Sequence, residues 1–257
     1  MLKNKILIAL VAIACCSFML KDQDRLTVFL IGDSTVCTQP VSQAPVTGWG
    51  TPFTAFFDSN IVRIENHARG GRSTRTFLSE GRWQPVVEHL KPGDYVFIQF
   101  GHNDEAKEEI YKDRYTSPED YRKNLVRFIE ETKAKQAYPV LVTPVSRRRF
   151  SKEGKALETH IEYSKVMTEV AAAYKVPLLD LDTRSRALYD TLGPEYSKVL
   201  FNVSEAGANP QFPNGANDNT HFSEYGARRM AELVLDEMKK VNLPLIQKVR
   251  VVKIANK

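Results

Sequence analysis

From residue 25 onward, short apolar runs rich in β-branched and aromatic residues alternate with longer segments in which apolar positions recur at helical spacing. Five runs, at 26–31, 61–65, 95–100, 140–143 and 178–181, predict strands. Six segments, at 50–58, 84–90, 118–134, 156–174, 184–192 and 224–241, predict helices. Short apolar runs alternating with helical segments are the pattern of strands between helices. They therefore predict strands covered on both sides, in a parallel sheet between two helical layers. Pro92-Gly93-Asp94 punctuates the start of the third strand, Ser117 caps a helix with Pro118 in its first turn, and Ser223 caps the last helix. No repeat, low-complexity run or Gly/Ser/Pro-rich linker divides residues 22–257, which predicts a single doubly wound α/β domain. Residues 201–219, with several Asn, Gly and Pro, read as a long irregular loop of the kind that usually carries function in a compact domain.

The 257-residue chain is 42% hydrophobic and 26% charged, which excludes a disordered or collagen-like polymer. Its first twenty residues depart from the rest: Lys3 and Lys5, an apolar run over 6–13, and Ala12-Ile13-Ala14 directly before Cys15-Cys16. This is the pattern of a secretory signal over residues 1–20, and the apolar run is short for a membrane span, which needs about 20 apolar residues. A small-residue run ending in Cys also matches a bacterial lipoprotein box, with Ala12 where an aliphatic residue is usual, so lipid attachment at Cys15 or Cys16 is the alternative to plain cleavage. Either way the chain is expected to be exported. The formal charge of +5 falls by two without Lys3 and Lys5, too mild a balance to imply a nucleic-acid partner. Only Cys37 remains after processing, which leaves no internal disulfide framework.

Chemistry concentrates where predicted strands end. The first is followed by Gly32-Asp33-Ser34-Thr35, which places a serine at the carboxyl edge of the sheet, where open α/β sheets bind ligands. A serine nucleophile needs a base within reach and a group to orient that base. Asp218-Asn219-Thr220-His221 supplies both. The second and third strands are followed by residues 66–73, with Gly70-Gly71, and by Gly101-His102-Asn103-Asp104. The backbone N–H groups of Ser34 and Gly71 and the side-chain amide of Asn103 are candidate donors to an oxyanion. Taken singly, these are an Asp-x-x-His turn, a glycine turn and a helix cap. Four complementary groups on one sheet edge make them a candidate site.

These blocks, in this order, resemble those of the SGNH (GDSL-type) hydrolases, and the resemblance covers nearly the whole chain after residue 20. Asn66-x-Ala68-x-x-Gly71-Arg72-Ser73, Gln99-Phe100-Gly101-His102-Asn103-Asp104 and Thr143-Pro144-Val145-x-Arg147 resemble the rhamnogalacturonan acetylesterase branch. The resemblance implies a flavodoxin-like three-layer α/β/α sandwich with about five parallel strands and no metal or other cofactor. It implies Ser34, Asp218 and His221 as catalytic residues, and Ser34, Gly71 and Asn103 as the oxyanion hole. Thr35 and Val36 depart from the Leu of the GDSL name, a matter of packing. The implied partner is an acetylated acidic polysaccharide; a monomer is expected, with no residue pattern that fixes the oligomeric state. Arg72 and Arg147, the latter in the run Arg147-Arg148-Arg149, are candidate carboxylate contacts, and Trp49 a candidate sugar platform. Acetylated xylan, a lipid ester or a thioester is the alternative substrate for the same groups, and a non-catalytic carbohydrate-binding protein the alternative class. Cys37 reads as a small packed side chain. The tail over 241–257 can add an edge strand, bind an anionic surface or cover the sheet.

Overall fold

The computed structural model describes residues 25–250. The signal segment over 1–20, with Cys15 and Cys16, lies outside the described residues, as does the end of the tail. Five strands, β1 (Leu26–Gly32), β2 (Val62–Asn66), β3 (Tyr95–Gln99), β4 (Tyr138–Val142) and β5 (Leu178–Leu179), form one sheet in the order β2-β1-β3-β4-β5, every pair parallel. Alternation along β1 shows why both faces are covered. Val28 and Leu30 belong to one apolar cluster, Phe29 and Ile31 to the other, and all four are buried.

On the Val28 face lie α1 (Gly50–Phe53), α6 (Leu181–Tyr196) and α7 (Glu224–Lys240), which contribute Phe53, Tyr189, Met230, Val234 and Met238. On the Phe29 face lie α2 (Thr74–Ser79), α3 (Trp83–His89), α4 (Pro118–Ala134) and α5 (Ile161–Tyr174). There Phe77, Trp83, Phe100 and Phe128 meet in edge-on and stacked ring contacts. The predicted caps form: Ser117 Oγ accepts the Asp120 N–H and Ser223 Oγ the Gly226 N–H, each worth about 1 kcal/mol. Gly226 is required where α7 starts, because a Cβ there would stand 1.7 Å from the Leu200 carbonyl oxygen.

Three expectations are corrected. The helix predicted over 156–174 begins only at Ile161, because residues 149–157 fold back on themselves: Leu157 N–H donates to the Arg149 carbonyl and Ser151 N–H to that of Lys155. The strand predicted over 178–181 turns helical at Leu181, where Asp180 Oδ1 accepts the Thr183 N–H and caps α6. The loop predicted over 201–219 is a hairpin, β6 (Phe201–Ser204) paired antiparallel with β7 (Ala216–Phe222). The Asn, Gly and Pro that suggested a loop are mostly in its tip, 205–215. The described part of the tail covers the core: Leu243 and Leu245 are buried in it and Val249 bridges to Phe57. No helix among the described residues is long and apolar enough to cross a membrane.

Candidate active site

Strand order reverses at β1, which has β2 on one side and β3 on the other, so a crevice opens beyond the carboxyl ends of these strands. A cleft of about 780 Å³ lies there, lined by Ser34, Gly71, Asn103 and His221 among other, mostly polar, residues. Asp33 builds the turn that presents Ser34. Its buried carboxylate accepts the Thr35 N–H at 2.9 Å and the Thr35 hydroxyl at 2.8 Å, and its carbonyl accepts the N–H groups of Val36 and Cys37. Burial pushes the Asp33 pKa up, but His102 at 3.3 Å and the Thr35 donors outweigh it, and the group ionises below its ordinary 3.8.

At the far end of β7, His221 is held from one side and reaches Ser34 on the other. Its Nδ1 lies 2.6 Å from Asp218 Oδ2, and its Nε2 lies 2.9 Å from Ser34 Oγ. The other Asp218 oxygen accepts the backbone N–H groups of Thr220 and His221, so the carboxylate fixes both the turn and the ring. Burial pushes the His221 pKa down, yet the hydrogen bond and charge of Asp218 outweigh it and raise the pKa above 6.5. For Asp218, burial is likewise outweighed by His221 and the two backbone donors, and its pKa falls.

Facing Ser34 are the candidate oxyanion donors. Gly71 takes φ +77°, a left-handed conformation that costs glycine nothing. The N–H groups of Ser34 and Gly71 have no acceptor among the described residues. Asn103 donates one amide hydrogen to the Arg72 carbonyl at 3.1 Å and accepts at Oδ1 from Arg114 at 2.8 Å. Its second amide hydrogen is unclaimed. Ser34, His221, Gly71 and Asn103 thus line one cleft, with Asp218 bonded to His221 on the side away from Ser34.

The substrate contacts expected from sequence are placed differently. Trp49 is corrected outright: it is fully buried, and its indole N–H donates to Gln99, whose amide donates to Thr35. No face is open to a sugar, and Trp49 instead braces the turn under Ser34. Arg72 is paired with Glu80 and donates to the Gly70 carbonyl, holding the glycine turn. Arg147 is paired with Glu105 and lies 3.2 Å from the His160 ring nitrogen. Arg148 donates to Asn219 Oδ1 and the Pro194 carbonyl, tying β7 to the end of α6. Two arginines on the cleft, Arg69 and Arg149, have no side-chain partner among the described residues, and sequence reasoning did not separate them from the rest. Arg114 was missed because it lies in a loop with no periodic pattern. Cys37 is buried, with its thiol pushed up to about 11 by burial and by Asp33, hence neutral and inert at pH 7. Among the described residues no three His, Cys, Asp or Glu side chains group as a metal would need.

Asp104, next to Asn103, ties this loop to α2. Its Oδ1 accepts the Thr74 N–H and hydroxyl, while its buried Oδ2 has no partner. Burial raises its pKa to about 7. The folded state therefore binds a proton that the unfolded chain releases above 3.8, and stability is lost as pH rises toward 7, at up to about 1.4 kcal/mol per pH unit. Asp104→Asn keeps the acceptor oxygen and removes the titration. Its thermal midpoint, compared with the native chain between pH 4.5 and 7, should fall less steeply; equal slopes would refute the assignment.

A parallel α/β/α sandwich with a serine, histidine and aspartate in line at its switch point defines an ester hydrolase of the GDSL type. The chain belongs to the GDSL-like Lipase/Acylhydrolase family, whose model matches residues 30–229. It is 43% identical over 219 residues to rhamnogalacturonan acetylesterase RhgT of Bacillus subtilis, spanning 85% of this chain and 91% of that protein. It is 36% identical to a probable rhamnogalacturonan acetylesterase, YesY, of the same organism, over 86% of this chain and 96% of the relative. The crystal structure of Bacillus subtilis YxiM superposes with a TM-score of 0.72 at 28% identity over 85% of this chain, which spans only 57% of that longer structure.

Proposed function

We propose that this chain is an exported carbohydrate esterase that removes O-acetyl groups from an acidic pectic polysaccharide of the rhamnogalacturonan type. The observation that carries the reading is the contact row from Ser34 Oγ to His221 Nε2 at 2.9 Å and from His221 Nδ1 to Asp218 at 2.6 Å, facing unclaimed N–H donors. Ser34 Oγ attacks the acetyl carbonyl as His221 Nε2 takes its proton. The oxyanion rests on the N–H groups of Ser34 and Gly71 and on the Asn103 amide. Collapse expels the sugar alcohol, which takes the proton from His221 and leaves an acetyl-enzyme. Water then gives a proton to His221 as it attacks the acetyl carbonyl, and acetate departs as Ser34 recovers the proton.

An acidic substrate is favoured by the cations of the cleft. Because Arg72 and Arg147 are paired with carboxylates of the protein and Arg114 is bonded to Asn103, Arg69 and Arg149 are the arginines left to meet galacturonate carboxylates. The names of the two Bacillus relatives point to the same polymer, and the signal-like first twenty residues point to export.

Acetate release from acetylated rhamnogalacturonan, acetylated xylan and a short synthetic acetyl ester tests the reading. Release from the pectic polymer should exceed the others. Arg69→Ala with Arg149→Ala should raise KM for that polymer by about tenfold relative to KM for the neutral ester, the loss of roughly one charge-assisted hydrogen bond. Hydrolysis of the synthetic ester alone would overturn the pectic substrate while leaving the esterase.

A further inference from the structure

We infer that Arg114 is a positioning residue for the reaction, one that fixes the Asn103 side-chain amide with its N–H₂ toward the cleft and polarises it as an oxyanion donor. The inference rests on the reading of Asn103 as such a donor. The two ends of an asparagine amide are nearly identical in shape and opposite in hydrogen bonding. A donor to an oxyanion must present nitrogen, and a flipped amide would present oxygen to a developing negative charge.

Two partners forbid the flip. Asn103 Nδ2 lies 3.1 Å from the Arg72 carbonyl, which only accepts, and Asn103 Oδ1 lies 2.8 Å from Arg114 Nη1, which only donates. Reversal would set oxygen against oxygen and N–H₂ against a guanidinium. The first partner is backbone in a turn already held by the Arg72 side chain on the Gly70 carbonyl. Among the described residues Arg114 is therefore the one side chain that selects the amide's orientation.

The contact also strengthens the donor. A cation bonded to the amide oxygen draws electron density from nitrogen, and charge-assisted hydrogen bonds are roughly twice as strong as neutral ones. Unlike Arg72 and Arg147, Arg114 has no carboxylate partner among the described residues, so its charge is not offset by an ion pair. Its guanidinium is kept in place by stacking over the Tyr111 ring at 3.9 Å. The same Nη1 would be 3.7 Å from a Cβ at Gly71, so the guanidinium stands beside both Asn103 and Gly71.

The test uses the short synthetic acetyl ester, which carries no carboxylate, and compares the native chain with Arg114→Met, Arg114→Lys, Asn103→Ala and the Asn103→Ala, Arg114→Met double variant. Arg114→Met should lower kcat by about tenfold, a part of the 10²–10³-fold loss that follows removal of an oxyanion donor, with KM within about twofold. Arg114→Lys should recover part of that loss, since it keeps the charge without the fixed fork. In the Asn103→Ala background Arg114→Met should cost nothing further. Multiplying losses would show that Arg114 acts independently of Asn103 and overturn the inference. So would an unchanged kcat of Arg114→Met on the neutral ester. Asn103→Ala at the native rate would instead remove the oxyanion assignment, and this role with it. Thermal midpoints accompany each variant; if Arg114→Met does not fold, Arg114→Gln, which keeps a donor but no charge, carries the same comparison.

Discussion

Ser34→Ala should lower kcat for acetate release by about 10⁴- to 10⁶-fold while leaving the fold intact, the largest effect expected of any single change. The fold should survive because Asp33, not Ser34, makes the hydrogen bonds that shape the turn after β1. Alanine removes the Oγ that lies 2.9 Å from His221 Nε2 and has no other atom to offer an acetyl carbonyl. Residual activity would come from the oxyanion donors polarising the ester for direct attack by water, a contribution of roughly 10³–10⁴ over the uncatalysed rate. Initial rates of acetate release, with the thermal midpoint as control, measure both halves of the expectation. A variant that keeps its rate would sink Ser34 as nucleophile, and with it the whole contact row.

The parts of this molecule legible in its sequence are those set by local chemistry. Buried strands are read from uninterrupted apolar runs, since a residue such as Phe29 or Ile98 has no exposed alternative in a sheet covered on both faces. Helices announced by Ser117 or Ser223 begin where those caps stand. Ser34, Gly71 and Asn103 were legible because each follows a strand at the carboxyl edge of one sheet, whereas Asp218 and His221 stand on a separate hairpin and were picked out by residue type and by the family resemblance. What escaped is decided by distant partners. The apolar positions over 156–160 suit a helix, but Ala156 N–H donates to Asp190 and Leu157 N–H to the Arg149 carbonyl. Trp49 has the chemistry of a sugar platform, and only the contact with Gln99, fifty positions away, shows that its ring is spent in the core. The arginines are the sharpest case: Arg72, Arg147, Arg148 and Arg149 look alike in one dimension. Glu80, Glu105 and Asn219 claim the first three. Arg149 is left by elimination.

Asp218→Asn should cost about 10³- to 10⁴-fold in kcat and move the acidic limb of the rate profile to lower pH. The size follows from the tautomer. Asp218 Oδ2 accepts from Nδ1, which leaves Nε2 free to take the proton of Ser34. In the variant one end of the amide still accepts the Thr220 and His221 N–H groups, which turns N–H₂ toward Nδ1 and forces the ring proton onto Nε2, the nitrogen that must be bare. The direction of the pH shift follows from charge. His221 works only when neutral, and Asp218 holds its pKa above 6.5, so the native rate should climb with pH through a midpoint above 6.5. Without the carboxylate, burial is left as the dominant influence and the imidazolium loses its proton earlier. Stability runs the opposite way. A pKa raised by folding adds stability that is full below 6.5 and fades as pH climbs through the raised value, so the native chain should gain activity over the same interval in which the Asp218–His221 contact loses its charge contribution and keeps only the Nδ1–H hydrogen bond. Profiles of kcat/KM and of thermal midpoint against pH, taken together on the native chain and on Asp218→Asn, measure both. An acidic limb that stays in place in the variant would show that a group other than His221 governs it.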